Sequence, residues 1–546
     1  MKKLFNYLHW LWRYSQGIRL SLAFNSLLGI VSVSVSLYFI YVCKKLVDVA
    51  THTVDGSLSL YTWLMVGTLV AQLLISALSI HLGNATSAHM TNLIRYRIYS
   101  YLMESRWFGK EKMHTGDQLN RLEQDVNTVS DTISSSLPSC LVTGYQLLAA
   151  FLFLCHMDAK LAWALIFIMP CFLLFSKLFF RKMRRLTADI RSTDSRVQSH
   201  IQESLQHRTT LQALEQVPRM ETRLFSLQSL LYGQVMRRTR FTIFSRTAVG
   251  LAFSAGYTLA FLWGIYGIYK GTCTFGLMTA FLQLVGQVQR PTLQLTKQIP
   301  SFIYTTTSID RLQELESAPL EESGNACRLK GVAGIRFEKV SFHYPDSPHN
   351  VTDCFSYDFR PGSRTAVLGE TGAGKSTLFR LMLGLLRPQE GAIYLYDNAG
   401  AQCRVNALTR CNFVYVPQGN TLFSGSIREN LLLGKPDATE EEMKHILRVA
   451  TADFVFDLPD GLDTLCGELG SGLSEGQSQR IAIARGLLRP GSILLLDEFS
   501  SSIDNDTEHR LMHNLLTYEV SKTMIFITHR EEIADYCHQI LRIGRN

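Results

Sequence analysis

The chain has 546 residues, of which 47% are hydrophobic and only 18% charged, and its formal net charge is +8. The charged share lies below the roughly 25% of ordinary soluble domains, and the apolar residues are clustered, which excludes a conventional soluble enzyme as the simplest reading. The positive balance suits a membrane protein with basic cytoplasmic loops and makes no case for a nucleic-acid partner.

The amino-terminal stretch MKKLFNYLHWLWRYSQGIRLSL starts basic but lacks a small-residue cleavage site, so it does not read as a removable signal peptide. Trp10, Trp12 and Tyr14 beside Lys2 and Lys3 predict a helix lying in a membrane interface. Apolar segments then recur at about 20–43, 59–82, 136–156, 161–180, 247–269 and 274–304. Each is long enough to cross a hydrocarbon core of about 30 Å. The sixth is the weakest, being interrupted by glutamines, Arg290 and Pro291. No such segment follows residue 320, and the polar stretch 314–327 (ELESAPLEESGNAC) reads as a linker. The expected division is therefore a transmembrane domain over 1–320 and a second domain over 328–546. Eleven cysteines are scattered without CxxC or zinc-type spacing, so neither a disulfide scaffold nor a structural zinc site is expected.

Connections after the second and fourth segments are long, at about 83–135 and 181–246, whereas the others are short. Residues 181–240 contain twelve Lys or Arg and residues 95–121 contain six, which places the long loops in the cytoplasm and, with six spans, both termini there too. Between 181 and 246 only Pro218 and Gly233 interrupt helical character. Two helices of about 30 residues would project roughly 45 Å beyond the membrane.

After residue 328, short β-rich runs alternate with helical patterns, as in an α/β domain. The run 364–368 (RTAVL) is followed by Gly369-Glu370-Thr371-Gly372-Ala373-Gly374-Lys375-Ser376-Thr377, a match to G-x-x-x-x-G-K-[ST]. In this motif, backbone N–H groups close around phosphates at a helix N-terminus, Lys375 reaches the β/γ-phosphates and Ser376 ligates Mg²⁺. A second apolar run, 492–496 (SILLL), ends in Asp497-Glu498. One carboxylate at such a strand tip can hold Mg²⁺ and its neighbour can polarise an attacking water; Asp497 is assigned the first role and Glu498 the second.

Between these motifs stands Leu473-Ser474-Glu475-Gly476-Gln477, ahead of a helical SQRIAIARGLL. In this order the motifs resemble those of the ATP-binding cassette superfamily, and the whole chain resembles an exporter-type half-transporter of six spans fused to one nucleotide-binding domain. The signature L-S-G-G-Q is matched at four of five positions, Glu475 replacing the first glycine. The resemblance implies a helical transmembrane domain with long cytoplasmic helical extensions, followed by an α/β P-loop (RecA-like) domain with a helical subdomain. It implies that Tyr344 stacks on adenine, that Gln418 contacts Mg²⁺ and the membrane helices, that Asp504 crosses a dimer interface, and that His529 contacts the γ-phosphate. It also implies coupling helices in the loops around 115–125 and 206–215, and a dimer in which Ser474 and Gly476 of one chain complete the ATP site of the other.

The reading is thus an ATP- and Mg²⁺-dependent exporter, with Glu498, His529 and Lys375 as its catalytic groups. A homodimer is favoured; Glu475 keeps open a heterodimer in which this chain is the catalytically intact half. A nucleotide-gated or regulatory membrane subunit is the rival from another class, disfavoured by the intact Glu498 and His529. A soluble ATPase acting on nucleic acid is disfavoured by the spans, and an importer by the fusion of both domains in one chain. A bacterial inner (plasma) membrane is the expected location. The cargo — small molecule, lipid or peptide — stays open. Gln283, Gln287, Gln294 and Gln298 fall at offsets 0, 4, 11 and 15, within about 60° of one another on a helix, and form a candidate cargo-pathway stripe whose alternative is helix–helix hydrogen bonding.

Overall fold

The computed structural model describes residues 2–106, 115–157, 159–345, 347, 349–370, 372–467, 472–518 and 521–544. The chain forms two compact units, Met1–Tyr99 with Gln118–Glu316, and Ser100–Asp117 with Ser317–Asn546.

The first unit is helical: α1 (Lys2–Tyr14), α2 (Arg19–Ala50), α3 (Leu58–Glu104), α4 (Thr115–Asn120), α5 (Val126–Asp131), α6 (Leu137–Met157), α7 (Ala159–Gln206), α8 (Arg208–Ala213), α9 (Val217–Tyr269) and α10 (Phe275–Leu315). Single π-helical turns at Arg121–Asp125 and Thr132–Ser136 join α4, α5 and α6. Among the described residues four helical runs are long and apolar enough to cross a membrane: Arg19–Ala50, Leu58–Glu104, Gln118–Met157 and Val217–Tyr269. The expected fourth span, 161–180, falls on helix α7, whose side chains there lie outside the described residues. The expected sixth lies within α10, which continues through Pro291. Packing among α2, α6 and α10 buries Leu37, Ile40, Leu154, Phe281 and Leu284.

Local chemistry explains where α10 starts. Thr274 caps it by accepting from Leu277 N, and Asp48 at the end of α2 accepts from Gly276 N at 3.2 Å. At the other end of α10, a carboxylate is taken out of water and balanced. Asp125 accepts from Ser308 Oγ at 2.8 Å and faces Arg311 Nε at 3.3 Å, while Arg121 pairs with Glu314 at 2.8 Å. The amino-terminal helix departs from the interfacial expectation. Trp10 and Tyr14 are buried and donate to Glu316, and Tyr7 donates to Asp310 at 2.9 Å, so its aromatic face is used on protein. Phe5 and Trp12 remain exposed.

The second unit is α/β. In chain order it contains β1 (Ala333–Phe342), β2 (Thr352–Phe359), β3 (Arg364–Gly369), α11 (Lys375–Met382), β4 (Glu390–Asp397), β5 (Gln402–Arg404), β6 (Phe413–Val416), β7 (Gly425–Ser426), α12 (Ile427–Leu432), α13 (Glu440–Val449), β8 (Leu465–Cys466), α14 (Glu475–Leu487), β9 (Ile493–Asp497), α15 (Asn505–Tyr518), β10 (Thr523–Ile527) and β11 (Gln539–Ile543). Strands β11-β3-β10-β9-β6 form a parallel sheet, and β2-β1-β4-β5 an antiparallel one. Every residue of β9 and β10 is buried, which is why both read as unbroken apolar runs rather than alternating ones. Capping boxes at Ser426, Thr439 and Ser474 start α12, α13 and α14.

The stretch read as a linker is not free. Arg410 forks onto Glu321 with two contacts of 2.6 Å, and Glu321 N donates to Glu104 O at 2.9 Å. Cys327 and Cys403, 76 residues apart, adjoin there, a proximity that spacing could not suggest.

Candidate nucleotide site

Parallel strands present their carboxyl ends on one edge of a sheet, and ligands of open α/β sheets bind there. The order β3-β10-β9-β6 sets four sequence-predicted groups side by side at that edge: the loop after β3, His529 after β10, Asp497-Glu498 at β9, and Gln418 after β6. The register Ile527↔Val367 and Ile527↔Asp497 brings these ends level.

The loop runs from Gly369 to Gly374 and opens directly into α11; Thr371 lies outside the described residues. Gly374 adopts φ 93°, and a Cβ there would strike Val351, so glycine is required on both counts. Lys375, buried, folds back onto its own loop, donating to Gly369 O at 2.5 Å and Glu370 O at 3.1 Å. Both contacts hold the ammonium against the loop.

Asp497 is buried, and its Oδ1 has no hydrogen-bond partner. Burial pushes its pKa up to about 6, the neighbouring Glu498 adds to the rise, and the Ser376 hydroxyl bonded to it opposes it. A buried carboxylate with one open oxygen next to a hydroxyl is a suitable oxygen donor pair for Mg²⁺, so the residues present fit the ion. Glu498 has φ 44°, a left-handed conformation unusual outside glycine. Its N–H donates to Ile527 O at 2.9 Å, and its carbonyl accepts from Gln479 Nε2 at 3.2 Å. Its side chain accepts from Gln418 Nε2 at 2.5 Å and stands 3.9 Å from His529 Nδ1.

Tyr344 is partly buried beside α11. Its hydroxyl is 3.0 Å from Thr377 Oγ1 and accepts from Arg380 at 3.2 Å. Ser474 caps α14, its side chain accepting from Gln477 N at 3.2 Å and its N–H donating to Gln477 Oε1 at 2.9 Å. A Cβ on Gly476 would lie 2.5 Å from Ser502 O, whereas Glu475 is exposed on the first turn. The local fold thus demands the second glycine of the signature and leaves the first position open to a side chain. Leu473 packs against the buried cluster formed with α14, and Asp504 caps α15, accepting from Thr507 N at 3.0 Å.

The glutamine stripe divides. Gln287 donates to Ser36 at 2.9 Å and accepts from Gln146; Gln298 donates to Ser139 at 2.9 Å and accepts from Cys140. Gln283 and Gln294 are exposed.

Residues 22–292 match the model of the ABC transporter transmembrane region, and residues 353–501 match that of the ABC transporter family. The ABC transporter ATP-binding protein YfiB of Bacillus subtilis is 30% identical over 427 residues, 78% of this chain and 74% of that one. The chain belongs to the ABC transporter family. The serine protease/ABC transporter B family protein TagA of Dictyostelium discoideum is 28% identical over 88% of this chain, but the match spans only 27% of TagA's length. A solved structure of a bacterial Atm1-family ABC exporter with ATP bound superposes with a TM-score of 0.81 at 22% identity, covering 96% of this chain and 94% of that one, which shows a shared fold. This ABC transporter is an integral membrane protein that couples ATP hydrolysis to export, with one transmembrane region and one nucleotide-binding domain in a single chain. Such half-transporters generally work as dimers in a membrane.

Sequence reading missed Gln479 and Arg380, which hold the Glu498 backbone and the Tyr344 hydroxyl. Gln479 is buried within α14, and a polar residue on an otherwise apolar helix face was the available signal.

Proposed function

We propose that this chain is half of a homodimeric exporter, with a membrane domain over 1–320 and a nucleotide domain over 328–546. Its nucleotide domain and termini lie in the cytoplasm, and its spans lie in a bacterial inner (plasma) membrane. The long basic loops support the orientation. The observation that carries the reading is Glu498, held by Gln418 and facing His529, beside a buried Asp497 with an open oxygen.

In this reading Lys375 exchanges the Gly369 and Glu370 carbonyls for the β/γ-phosphates of ATP. N–H groups of Gly369, Glu370, Thr371, Gly372, Ala373 and Gly374 and the first turn of α11 with Thr377 close around the phosphates, and the Tyr344 ring supports the adenine. Ser376, Asp497 and Gln418 would hold Mg²⁺, which would offset charge developing on the phosphoryl group. Glu498 accepts a hydrogen bond from the attacking water, with its two oxygens aimed by Gln418 and His529. One domain leaves the phosphates open on one side. Ser474 and the Gly476 N–H of a second copy close it, with Leu473, Gln477 and Asp504 at the interface. ATP moves the spans only because it binds the closed pair better than the open one. The cargo is a small molecule, lipid or peptide taken from the cytoplasm or inner leaflet, and Gln283 and Gln294 are the stripe residues left to meet it.

A heterodimer is the second reading, favoured by Glu475, whose carboxylate would sit at the helix end that meets the other copy's phosphates. The purified, reconstituted chain tests both readings. A homodimer hydrolyses ATP unaided, and Glu498→Gln lowers turnover about 10²–10³-fold while ATP binding persists, as expected for a group acting in the transition state. No ATPase from the chain alone would favour the heterodimer; near-normal turnover of the variant would remove Glu498 from catalysis.

A further inference from the structure

The loop that carries His529 is tied to α15 by two neighbouring residues. Glu508, in the first turn of α15, has a side chain only 5% exposed, and one of its oxygens accepts from Arg530 Nη1. Its other oxygen, Oε1, is buried without a partner. Arg530 also lies 3.3 Å from Asn505 Oδ1, and its N–H donates to Thr528 Oγ1 at 3.0 Å. The next residue of the helix, His509, places Nδ1 2.9 Å from the Tyr536 hydroxyl. Residue 529 therefore sits between two anchored neighbours, and both anchors of the following segment come from α15.

A carboxylate this buried is costly, and a single arginine balances it. A structural ion pair at such a cost would be replaceable by apolar packing. What this one adds is location: it fixes the residue directly after His529 to the helix that Asp504 caps. We propose that Glu508 is a positioning residue for His529, holding the histidine loop to α15 through Arg530 so that loop and helix move as one. The inference rests on the role given to His529 above. It means that displacement of the Asp504 turn, which in the proposed dimer meets the second copy, is carried to the imidazole facing Glu498.

The test is a double-mutant cycle on the full chain in liposomes, measuring kcat and KM for MgATP with binding of a fluorescent ATP analogue alongside. Glu508→Gln should lower kcat about 10-fold and leave KM within about threefold. Arg530→Gln, which removes the same pair from its more exposed side, should match it and serves if the first variant does not fold. In a His529→Ala background neither change should cost further turnover, because residues acting as one unit are not additive. Losses that multiply in the double variant, or a KM that rises in step with falling kcat, would overturn the proposal. Normal turnover of His529→Ala alone would instead strike the role of the histidine itself.

Discussion

Each unit of this ABC transporter contains a buried aspartate at a helix or strand junction, and the two are treated differently. Asp125, in a π-helical turn, is met by Ser308 at 2.8 Å and Arg311 at 3.3 Å. Asp497, at the tip of β9, has a serine hydroxyl beside it and an oxygen without a hydrogen-bond partner, and the nearby Arg380 and Lys375 charges only partly offset its burial. A charge balanced within the chain fastens helices together. A charge left open costs stability until a cation arrives, and that cost marks a site.

Removing each charge should therefore have opposite effects. Asp497→Asn should lower ATPase at least about 10³-fold while leaving the thermal midpoint unchanged or raised, since burial already disfavours that charge. Asp125→Asn should retain turnover and lower stability by on the order of 1–2 kcal/mol, discounted because Arg311 is partly exposed. Parallel ATPase and thermal-unfolding measurements decide; equal loss of stability in both would erase the distinction.

The next expected effect follows from the raised pKa. The Asp497 carboxyl is held neutral up to about pH 6, against an ordinary value of 3.8. The folded state therefore binds a proton that the unfolded chain has lost, and gains stability from this group as pH falls through about 6, the reverse of the usual aspartate. Below that pH, Mg²⁺ must displace a proton. The Mg²⁺ concentration for half-maximal ATPase should rise about tenfold per pH unit, with no such slope for metal binding in Asp497→Asn.

These differences also show what could be read from the chain before folding. The phosphate loop, Asp497-Glu498, Gln418 and His529 are each attached to the end of a short buried strand, so local pattern and motif order locate them together. Burial of β9 and β10 on both faces makes their apolar runs plain. Partners chosen by long-range approach were not legible. The Glu508–Arg530 pair, Arg380 against Tyr344, and Glu321 against Arg410 join residues 22, 36 and 89 positions apart. The glutamine stripe shows the same limit. Its helical spacing is correct, yet only the positions of Ser36, Gln146 and Ser139 on other helices reveal that Gln287 and Gln298 face protein. The amino-terminal aromatics read as interfacial from the sequence, because their polar partners Asp310 and Glu316 lie some 300 residues away.

That stripe carries the smallest expected effect. Gln287→Leu and Gln298→Leu should each cost about 0.6–1 kcal/mol, as interhelical hydrogen bonds in membranes do. Gln283→Leu and Gln294→Leu should leave stability unchanged and alter cargo-stimulated ATPase. Single cysteines at the second pair should react with a water-soluble maleimide in a manner that ATP and vanadate change. Protection of Gln283 and Gln294 in every nucleotide state would make the whole stripe packing.

In the proposed dimer the strand-end cluster hydrolyses ATP only when a second copy of this chain supplies Ser474. The direct measurement is the amount of ATP retained per chain after washing the purified Glu498→Gln variant. Close to one ATP per chain should be retained, and lost when Ser474→Ala is added. No retained nucleotide, or retention indifferent to Ser474, would contradict it.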